Sequence, residues 1–338
     1  MPILKKSVFR NKYLILSSRV LLTAFIIGMV IYYADAASIW EAVQKINIRI
    51  VIIPVLLYFP AQALAAYRWH YSLKELNQEI PFTSLMRHNA RGQLSTLFLP
   101  GQISGDITRT ISITYKQNEK IRLVFSVLID KFAYFLVLAL FALSGILSVG
   151  PISDFVYIYL LIFILFLFGA FIFSVLSLYR NSKSIKSLWN LLMKVKFLEK
   201  YIGDFKHWES LPIYSKKTII ILLTLGFLFQ GINSIGSYIL ARSMDININF
   251  MDWAAIIAII AIVQIIPITI AGIGIREGLL AGILLYYQIP LATSVGFSFV
   301  NLILVTSLII INWLFFEIIF LSKNARASTG LERPKEDI

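Results

Sequence analysis

The sequence contains no cysteine and few charged residues. Without cysteine, disulfide bonds, thiolate metal sites and cysteine nucleophiles are excluded. Charged residues make up 14% of the 338 residues and hydrophobic residues 58%, whereas a soluble domain has about 25% charged and about 45–50% apolar residues. Together with a mean hydropathy of +0.79, this composition excludes a soluble enzyme and predicts one integral membrane domain over residues 1–338.

Sequence motifs of catalysis are also missing. There is no G-x-S-x-G, P-loop or H-E-x-x-H pattern and no glycine-rich dinucleotide turn. The three histidines have no metal-ligand spacing. We therefore expect no catalytic residue, metal or cofactor, and a transporter is favoured over an enzyme. The net charge of +13 indicates cytoplasmic loops and anionic lipid rather than nucleic acid, as is usual for a membrane protein.

Long uncharged runs are abundant, and a membrane-spanning helix needs about 20 mostly apolar residues. The runs of at least 15 residues without Asp, Glu, Lys or Arg are 20–34, 50–67, 132–153, 155–179, 218–241, 253–275 and 278–316. Their lengths and their lack of alternation favour helices over barrel strands. The first run ends in Ala34-Asp35-Ala36, which also fits a signal-peptide cleavage site, but we expect an uncleaved anchor in an all-α polytopic protein.

The distribution of basic residues predicts the orientation. Most of the 31 Lys and Arg residues lie in five segments, which are the N-terminal arm, 68–91, 106–122, 180–217 and the tail 322–338. Segments 35–49 and 242–252 hold only three. By the positive-inside rule, the basic segments and both termini are cytoplasmic in a multi-pass protein of the inner (plasma) membrane. Apolar residues at helical spacing in the linker 180–217 predict an amphipathic helix on anionic lipid.

Two proline–glycine segments have the same pattern, P-x4-G-x3-R, at an offset of 167 residues. The pattern residues are Pro100, Gly105, Arg109, Pro267, Gly272 and Arg276. By the charge argument, the apolar stretch 92–105 begins and ends on the cytoplasmic side, so we predict a re-entrant hairpin there. An odd number of crossings must separate segment 242–252 from the tail. We predict a second re-entrant hairpin at 253–287 followed by one crossing at about 292–321, and three crossings are the alternative. The same offset relates the flanking spans, which predicts inverted helix–hairpin–helix repeats at about 49–153 and 217–321.

Inverted repeats with broken helices at matching positions are typical of secondary transporters. The alternative is that the glycines serve helix packing, since Gly101-x3-Gly105 and Gly274-x3-Gly278 fit a known helix-pairing pattern. A charge near the bilayer centre costs at least about 2.5–3.5 kcal/mol, so charged residues beside the breaks favour a substrate path. These residues are Asp106, Arg109, Arg276 and Glu277.

Other polar residues have two interpretations each. Asp130-Lys131 directly precedes the run 132–153; the two side chains form either an ion pair at a helix end or an acid–base pair in the cavity beside Arg109. Polar residues within the spans, such as Gln230 and Glu317, predict interhelical hydrogen bonds. Arg91 lies at the mouth of the first hairpin, where it either meets a phosphate or is an ordinary loop-edge arginine.

These motifs together resemble the transmembrane region of lysylphosphatidylglycerol synthetases, the flippase-like domain family. The family patterns are L-P-G-x-x-G-G-D-x-x-R, V-L-x-D-R and P-x-x-x-G-G-x-G-x-R-E-G. The residues that carry the resemblance are Leu99, Pro100, Gly101, Gly105, Asp106, Arg109, Val127, Leu128, Asp130, Pro267, Gly272, Gly274, Arg276, Glu277 and Gly278. The chain departs from the patterns at Ser104 and Ala271, each in place of a glycine, and at Lys131, in place of an arginine. The likeness covers about residues 15–321.

The resemblance implies movement of a lipid between leaflets. We expect an anionic or amino-acylated phospholipid, a glycolipid or a polyprenyl-linked lipid as the cargo, with Arg109 and Arg276 on its phosphate. Asp106, Asp130 and Glu277 would balance the arginines or bind a cationic headgroup or a proton, and Lys131 would add a cation. The expected partners are membrane lipids and a lipid-modifying enzyme or glycosyltransferase.

Two alternatives remain open at this point. One is an accessory subunit that binds lipid for such an enzyme without moving it, and the other is a catalytic subunit. We expect a stand-alone family member without the soluble synthetase domain, so a lysyltransferase activity would be inherited only from the family name.

Overall fold

The computed structural model describes residues 28, 36–44, 46–99, 103–114, 120–147, 156–174, 213–265 and 274–328. Over these residues the chain is helical and contains no strand. The ten α-helices are α1 (Ala36–Gln44), α2 (Ile48–Glu75), α3 (Phe82–Thr96), α4 (Ile103–Thr114), α5 (Lys120–Leu143), α6 (Val156–Ser174), α7 (Lys216–Arg242), α8 (Phe250–Val263), α9 (Ile275–Tyr286) and α10 (Leu291–Ser328). A short 3₁₀ helix, Ser144–Leu147, extends α5.

Among the described residues, five segments are long and apolar enough to cross a membrane. They are Ile48–Glu75, Arg122–Leu147, Tyr157–Ser174, Lys216–Arg242 and Leu291–Ser322. The all-α membrane fold predicted from the sequence is therefore confirmed. The predicted run 20–34 lies outside the described residues, except for Gly28, as does the linker up to residue 212.

Several spans extend past the charged residues that ended the uncharged runs. The run 50–67 lies within a helix that continues to Glu75 and includes Arg68. Residues 132–143 of the run 132–153 lie within a helix that begins at Lys120 and includes Asp130. Helices continue through these positions because the two charges pair with each other, as described below. The run 278–316 is instead divided, because α9 ends at Tyr286 and Gln288 has a positive φ of 59° before α10 begins.

Besides α1, four of the described helices are too short to cross the hydrocarbon core alone. Helices α3, α4, α8 and α9 have 12 to 15 residues, or about 18–22 Å at 1.5 Å per residue, against a core of about 30 Å. They flank the two proline–glycine segments, of which Pro100, Gly101, Pro267 and Gly272 lie outside the described residues. Short flanking helices are what re-entrant hairpins require, and re-entry itself stays a prediction.

Helices α2 and α7 pack against each other in opposite directions. At one end, the Glu75 carboxylate accepts hydrogen bonds from the Ser215 backbone N–H and the Thr218 hydroxyl, both at 2.6 Å. At the other end, Gly236 lies against Pro54, so that a Cβ at Gly236 would be 3.6 Å from the Pro54 Cβ. Antiparallel first helices are a condition that inverted repeats must meet, although the repeat itself remains a prediction.

Helices α3 and α4 meet backbone to backbone at two glycines. A Cβ at Gly92 would lie 2.6 Å from the Gly105 carbonyl oxygen, and a Cβ at Gly105 would lie 2.8 Å from the Gly92 carbonyl oxygen. Such small residues allow membrane helices to approach closely. Gly105 therefore has a packing function, which agrees with one of the two readings of its sequence pattern. The other member of that pattern, Gly101, lies outside the described residues.

The core lies where α5, α7, α8 and α10 converge. Trp253 is fully buried there, with its ring 5.1 Å from that of Phe297 in an edge-to-face contact. The indole N–H donates to the Ser237 hydroxyl at 3.0 Å. This packing fixes α8 between the two halves of the chain, and both candidate cavities lie along α8.

The opposite ends of α7 provide a test of orientation. We expect a single cysteine at Glu79, beside the start of α7, to react with an impermeant maleimide only after right-side-out vesicles are opened. A cysteine at Asn247, after the end of α7, should react in sealed vesicles. Both positions are exposed, and the chain has no other cysteine. Labelling of both from the same side would contradict the proposed topology.

The close approach of α3 and α4 predicts a stability difference between two glycines. Gly92→Ala should lower the free energy of unfolding by about 1–3 kcal/mol, because the added methyl overpacks the contact. Gly231→Ala is the matched control, since a Cβ there has no atom within 4 Å and alanine favours a helix over glycine. Thermal unfolding of the purified proteins in detergent measures both. Equal stability of the two variants would contradict the close contact.

Candidate functional site

A buried carboxylate joins three helices of the first half. Asp130 on α5 accepts a hydrogen bond from Arg68 Nε of α2 at 2.5 Å and another from an Arg109 terminal nitrogen of α4 at 2.8 Å. The three side chains have exposures of 6% or less. Such an arrangement is required in a membrane, where an unpaired charge is costly.

A second carboxylate extends this cluster toward the surface. Asp106 lies three residues before Arg109 on α4 and contacts its guanidinium at 3.0 Å. The other Asp106 oxygen is 2.9 Å from Lys131 Nζ. The Lys131 side chain is 38% exposed, against 12% for Asp106. We refer to Arg68, Asp106, Arg109, Asp130 and Lys131 as the charge cluster; its three cations and two carboxylates leave one positive charge uncompensated.

Aromatic rings support the two buried arginines. The Arg109 guanidinium lies 4.5 Å from the centre of the Trp69 ring, and that of Arg68 lies 4.9 Å from the Tyr134 ring. Cations over aromatic faces gain about 2 kcal/mol when desolvated. Arg68 Nη1 and Arg109 Nε have no hydrogen-bond partner among the described residues, so the cluster has more donors than acceptors.

An apolar groove borders the charge cluster. It has a volume of about 670 Å³ and is lined by residues of α4, α5, α6 and the end of α8. The Asp106–Lys131 ion pair forms part of its wall, and most of the remaining lining is aliphatic or aromatic. Ile107, Leu128 and Phe168 are exposed, so the groove is open at the surface of the helices.

Arg276 and Glu277 form a separate ion pair at the start of α9. The Arg276 side chain donates to Glu277 Oε1 from Nε at 3.0 Å and from a terminal nitrogen at 2.5 Å. The same terminal nitrogen is 3.3 Å from the Ser298 carbonyl oxygen. Glu277 also accepts from the Gly274 N–H at 2.6 Å. Gly274 has a φ of 91°, a conformation that favours glycine.

A central cavity of about 310 Å³ lies between the two halves of the chain. Thr96 and Leu97 line it from the end of α3, and Gln264 and Arg276 line it from beside the second proline–glycine segment. Its other polar lining residues are Tyr58, Asn233, Ser237, Ser298, Asn301 and Thr306. The described flanks of both predicted hairpins thus reach one cavity, in which these polar side chains lie among a mainly apolar lining.

The structure places the predicted site residues in two groups. Asp106, Arg109, Asp130 and Lys131 come together in the charge cluster, whereas Arg276 and Glu277 line or border the central cavity. Arg109 and Arg276 share no described contact. Whether each binds a headgroup stays a prediction. Gly278 has open space around an added Cβ.

Both cavities reach the same residue of α8. Ala261 lines the central cavity and the apolar groove, whereas the nearby Gln264 lines only the former and Ile265 only the latter. Sequence reasoning did not identify this junction, because it depends on which helices pack together. Among the described residues, no three His, Asp or Glu side chains are grouped as metal ligands.

A third ion-pair network joins α3 to α10. Arg87 donates to Glu317 Oε2 at 3.1 and 2.7 Å, and Arg91 donates to Glu317 Oε1. The Arg87 guanidinium also lies over the Phe320 ring. Sequence reasoning missed Arg87 and Arg68; the only available signal was an unpaired acid within a predicted span for each, namely Glu317 and Asp130.

Loss of the Asp130 carboxylate should strongly lower the stability of the protein. We expect Asp130→Asn to lower the free energy of unfolding by about 3–5 kcal/mol, because two buried arginines lose their shared counter-charge. Asp245→Asn is the control: it removes the same charge at an exposed position with a φ of 60°, which asparagine tolerates. The folded fraction after heating, measured by gel filtration in detergent, should fall only for Asp130→Asn. Equal loss in both variants would contradict the role of Asp130.

Comparison with known proteins agrees with this architecture. The family model described as the lysylphosphatidylglycerol synthase TM region matches residues 16–311. No curated protein matches the sequence. The matched region includes the charge cluster, the apolar groove and the central cavity. The chain therefore belongs to the lysylphosphatidylglycerol synthase transmembrane-region family, whose members are lipid-related membrane proteins.

Proposed function

We propose that the protein moves a phosphate-bearing lipid from one leaflet of the membrane to the other. The observation that carries this proposal is that a cavity containing polar side chains and an almost wholly apolar groove share the lining residue Ala261. A lipid has the same division into a polar headgroup and apolar tails. With its headgroup in the central cavity and a tail in the groove, a lipid would satisfy both surfaces at once.

The groove suits an acyl chain because most of its lining is apolar and it is open at the surface. An acyl chain could therefore stay in apolar surroundings while the headgroup leaves the interface. Keeping the tail out of water avoids the main free-energy cost of moving a lipid through a protein, since that cost grows with the apolar area exposed.

Two cations are placed to meet a phosphate. Lys131 is the most exposed member of a cluster with one uncompensated positive charge, and it lines the groove. Arg276 lines the central cavity in the first turn of α9, where free N–H groups favour an anion. Arg68 and Arg109 are almost fully buried and line neither cavity, so we assign them a positioning role for Asp106 and Lys131.

We further propose that the protein is a transporter rather than an enzyme, resident in the plasma membrane with both termini in the cytoplasm. Membrane lipids are then its partners. The basic segments and the lack of catalytic motifs in the sequence support these assignments. Binding of lipid without movement would instead favour an accessory subunit of a lipid-modifying enzyme or glycosyltransferase.

Reconstitution into vesicles tests the proposal. Wild-type protein should move phosphatidylglycerol between leaflets, and Lys131→Gln and Arg276→Gln should each slow this by about tenfold or more, since a charge-assisted contact of about 1.5–3 kcal/mol is lost. Lys217→Gln is the matched control, because this lysine is exposed at the start of α7 and lines neither cavity.

The transport rates of the variants test the phosphate-binding residues, and the rate of the wild-type protein tests transport itself. Unchanged rates in both Lys131→Gln and Arg276→Gln would show that these cations do not hold the phosphate. No movement by the wild-type protein, together with measurable lipid binding, would reject transport and favour the accessory subunit.

A further inference from the structure

The central cavity has an unusual charge balance for a family named after a lysine-bearing lipid. Arg276 is the only charged side chain among its described lining residues. The partner of Arg276, Glu277, is 2% exposed and already accepts hydrogen bonds from Arg276 and from the Gly274 N–H. No carboxylate in the described lining is therefore free to receive a cation.

The remaining polar lining consists of hydroxyls and amides. Ser298 is 1% exposed and its hydroxyl has no hydrogen-bond partner among the described residues. Asn233 donates from its amide nitrogen to the Phe229 carbonyl oxygen at 2.9 Å, which leaves its own carbonyl oxygen as an acceptor. Asn301 lies beside them in the lining. The cavity thus offers both donors and acceptors.

A cavity with both hydrogen-bond donors and acceptors favours some lipid headgroups over others. A hydroxyl both donates and accepts hydrogen bonds, as do serine hydroxyls and asparagine amides, so a polyol or sugar can be satisfied on all sides. An ammonium group only donates and carries a positive charge. Placed beside Arg276 without a free carboxylate, it would meet a like charge, which costs several kcal/mol in a desolvated site.

Arg276 retains capacity for one anionic group. Its Nε and one terminal nitrogen contact Glu277 and Ser298, whereas no hydrogen bond is described for the other terminal nitrogen. That nitrogen, the Ser298 hydroxyl and the N–H groups at the start of α9 are all donors. A phosphate at this end of the cavity would leave the hydroxyls and amides for the rest of the headgroup.

We propose that the central cavity selects a hydroxyl-rich, amine-free headgroup joined through a phosphate, and that it discriminates against amino-acylated lipids. This inference rests on the proposed function and specifies its substrate class. The headgroup preference proposed for this chain therefore differs from the lysyl lipid after which the family is named.

The test compares two lipids in the same vesicles. Phosphatidylglycerol in the outer leaflet is measured by external periodate, which cleaves its vicinal diol, and lysylphosphatidylglycerol is measured by an impermeant amine reagent. The wild-type protein should move phosphatidylglycerol about tenfold faster or more, given the like-charge penalty. Equal or faster movement of the lysyl lipid would overturn the inference and leave the proposed function standing. Movement of neither lipid would overturn both.

A charge substitution tests the mechanism of selection. Asn301→Asp places a carboxylate in the cavity with little change of shape and should shift the preference toward the lysyl lipid. Asn249→Asp is the matched control, since it adds the same charge at an exposed helix N-cap, where aspartate and asparagine are equivalent. If Asn301→Asp has the same preference as Asn249→Asp, the cavity does not select by charge and the inference fails. If Asn301→Asp does not fold, the wild-type comparison decides alone.

Discussion

Neutralisation of charge inside the helical bundle is the constraint on which the first half of the protein depends. Asp130 accepts hydrogen bonds from Arg68 and Arg109 on different helices, and Asp106 also pairs with Arg109. Two carboxylates thus balance the two guanidinium groups in a low-dielectric interior, where an unpaired charge is costly. The same contacts hold the short helix α4 against α2 and α5. Helix α4 is also closely packed on α3 through Gly92 and Gly105, so charge pairing and backbone contact together determine where Lys131 and the apolar groove lie.

Sequence periodicity and charge were sufficient to predict the class of fold and the position of most spans, because a run of apolar residues in lipid has few alternatives to a helix. They were not sufficient for the helix boundaries. Arg68 and Asp130 ended two predicted runs, yet both lie inside helices, since each is the other's counter-charge. Arg68 and Asp130 are 62 residues apart, and Arg87 and Glu317 are 230 residues apart. A single sequence does not indicate which of such distant residues form ion pairs. Two of the motif glycines have a local geometric reason, because Gly105 packs against Gly92 and Gly274 has a positive φ.

The two arginines of the repeated sequence pattern have different surroundings. Arg109 contacts two carboxylates and a tryptophan face and is almost fully buried. Arg276 pairs with the adjacent Glu277 and lines the central cavity. A shared pattern therefore does not imply a shared role. In the first half the arginine holds α4 against α5, and in the second half it borders a cavity of about 310 Å³.

The ion pairs between Glu317 and the two arginines of α3 restrain the separation of α3 from α10. Glu317 lies on the last helix, and Arg87 and Arg91 lie on the first predicted hairpin, so widening the gap between these elements requires both guanidinium groups to leave the carboxylate. Guanidinium groups bind phosphate as readily as carboxylate. Anionic lipids of the surrounding leaflet can thus replace Glu317 as it is released, which would make the frequency of opening depend on the surface charge of the host membrane.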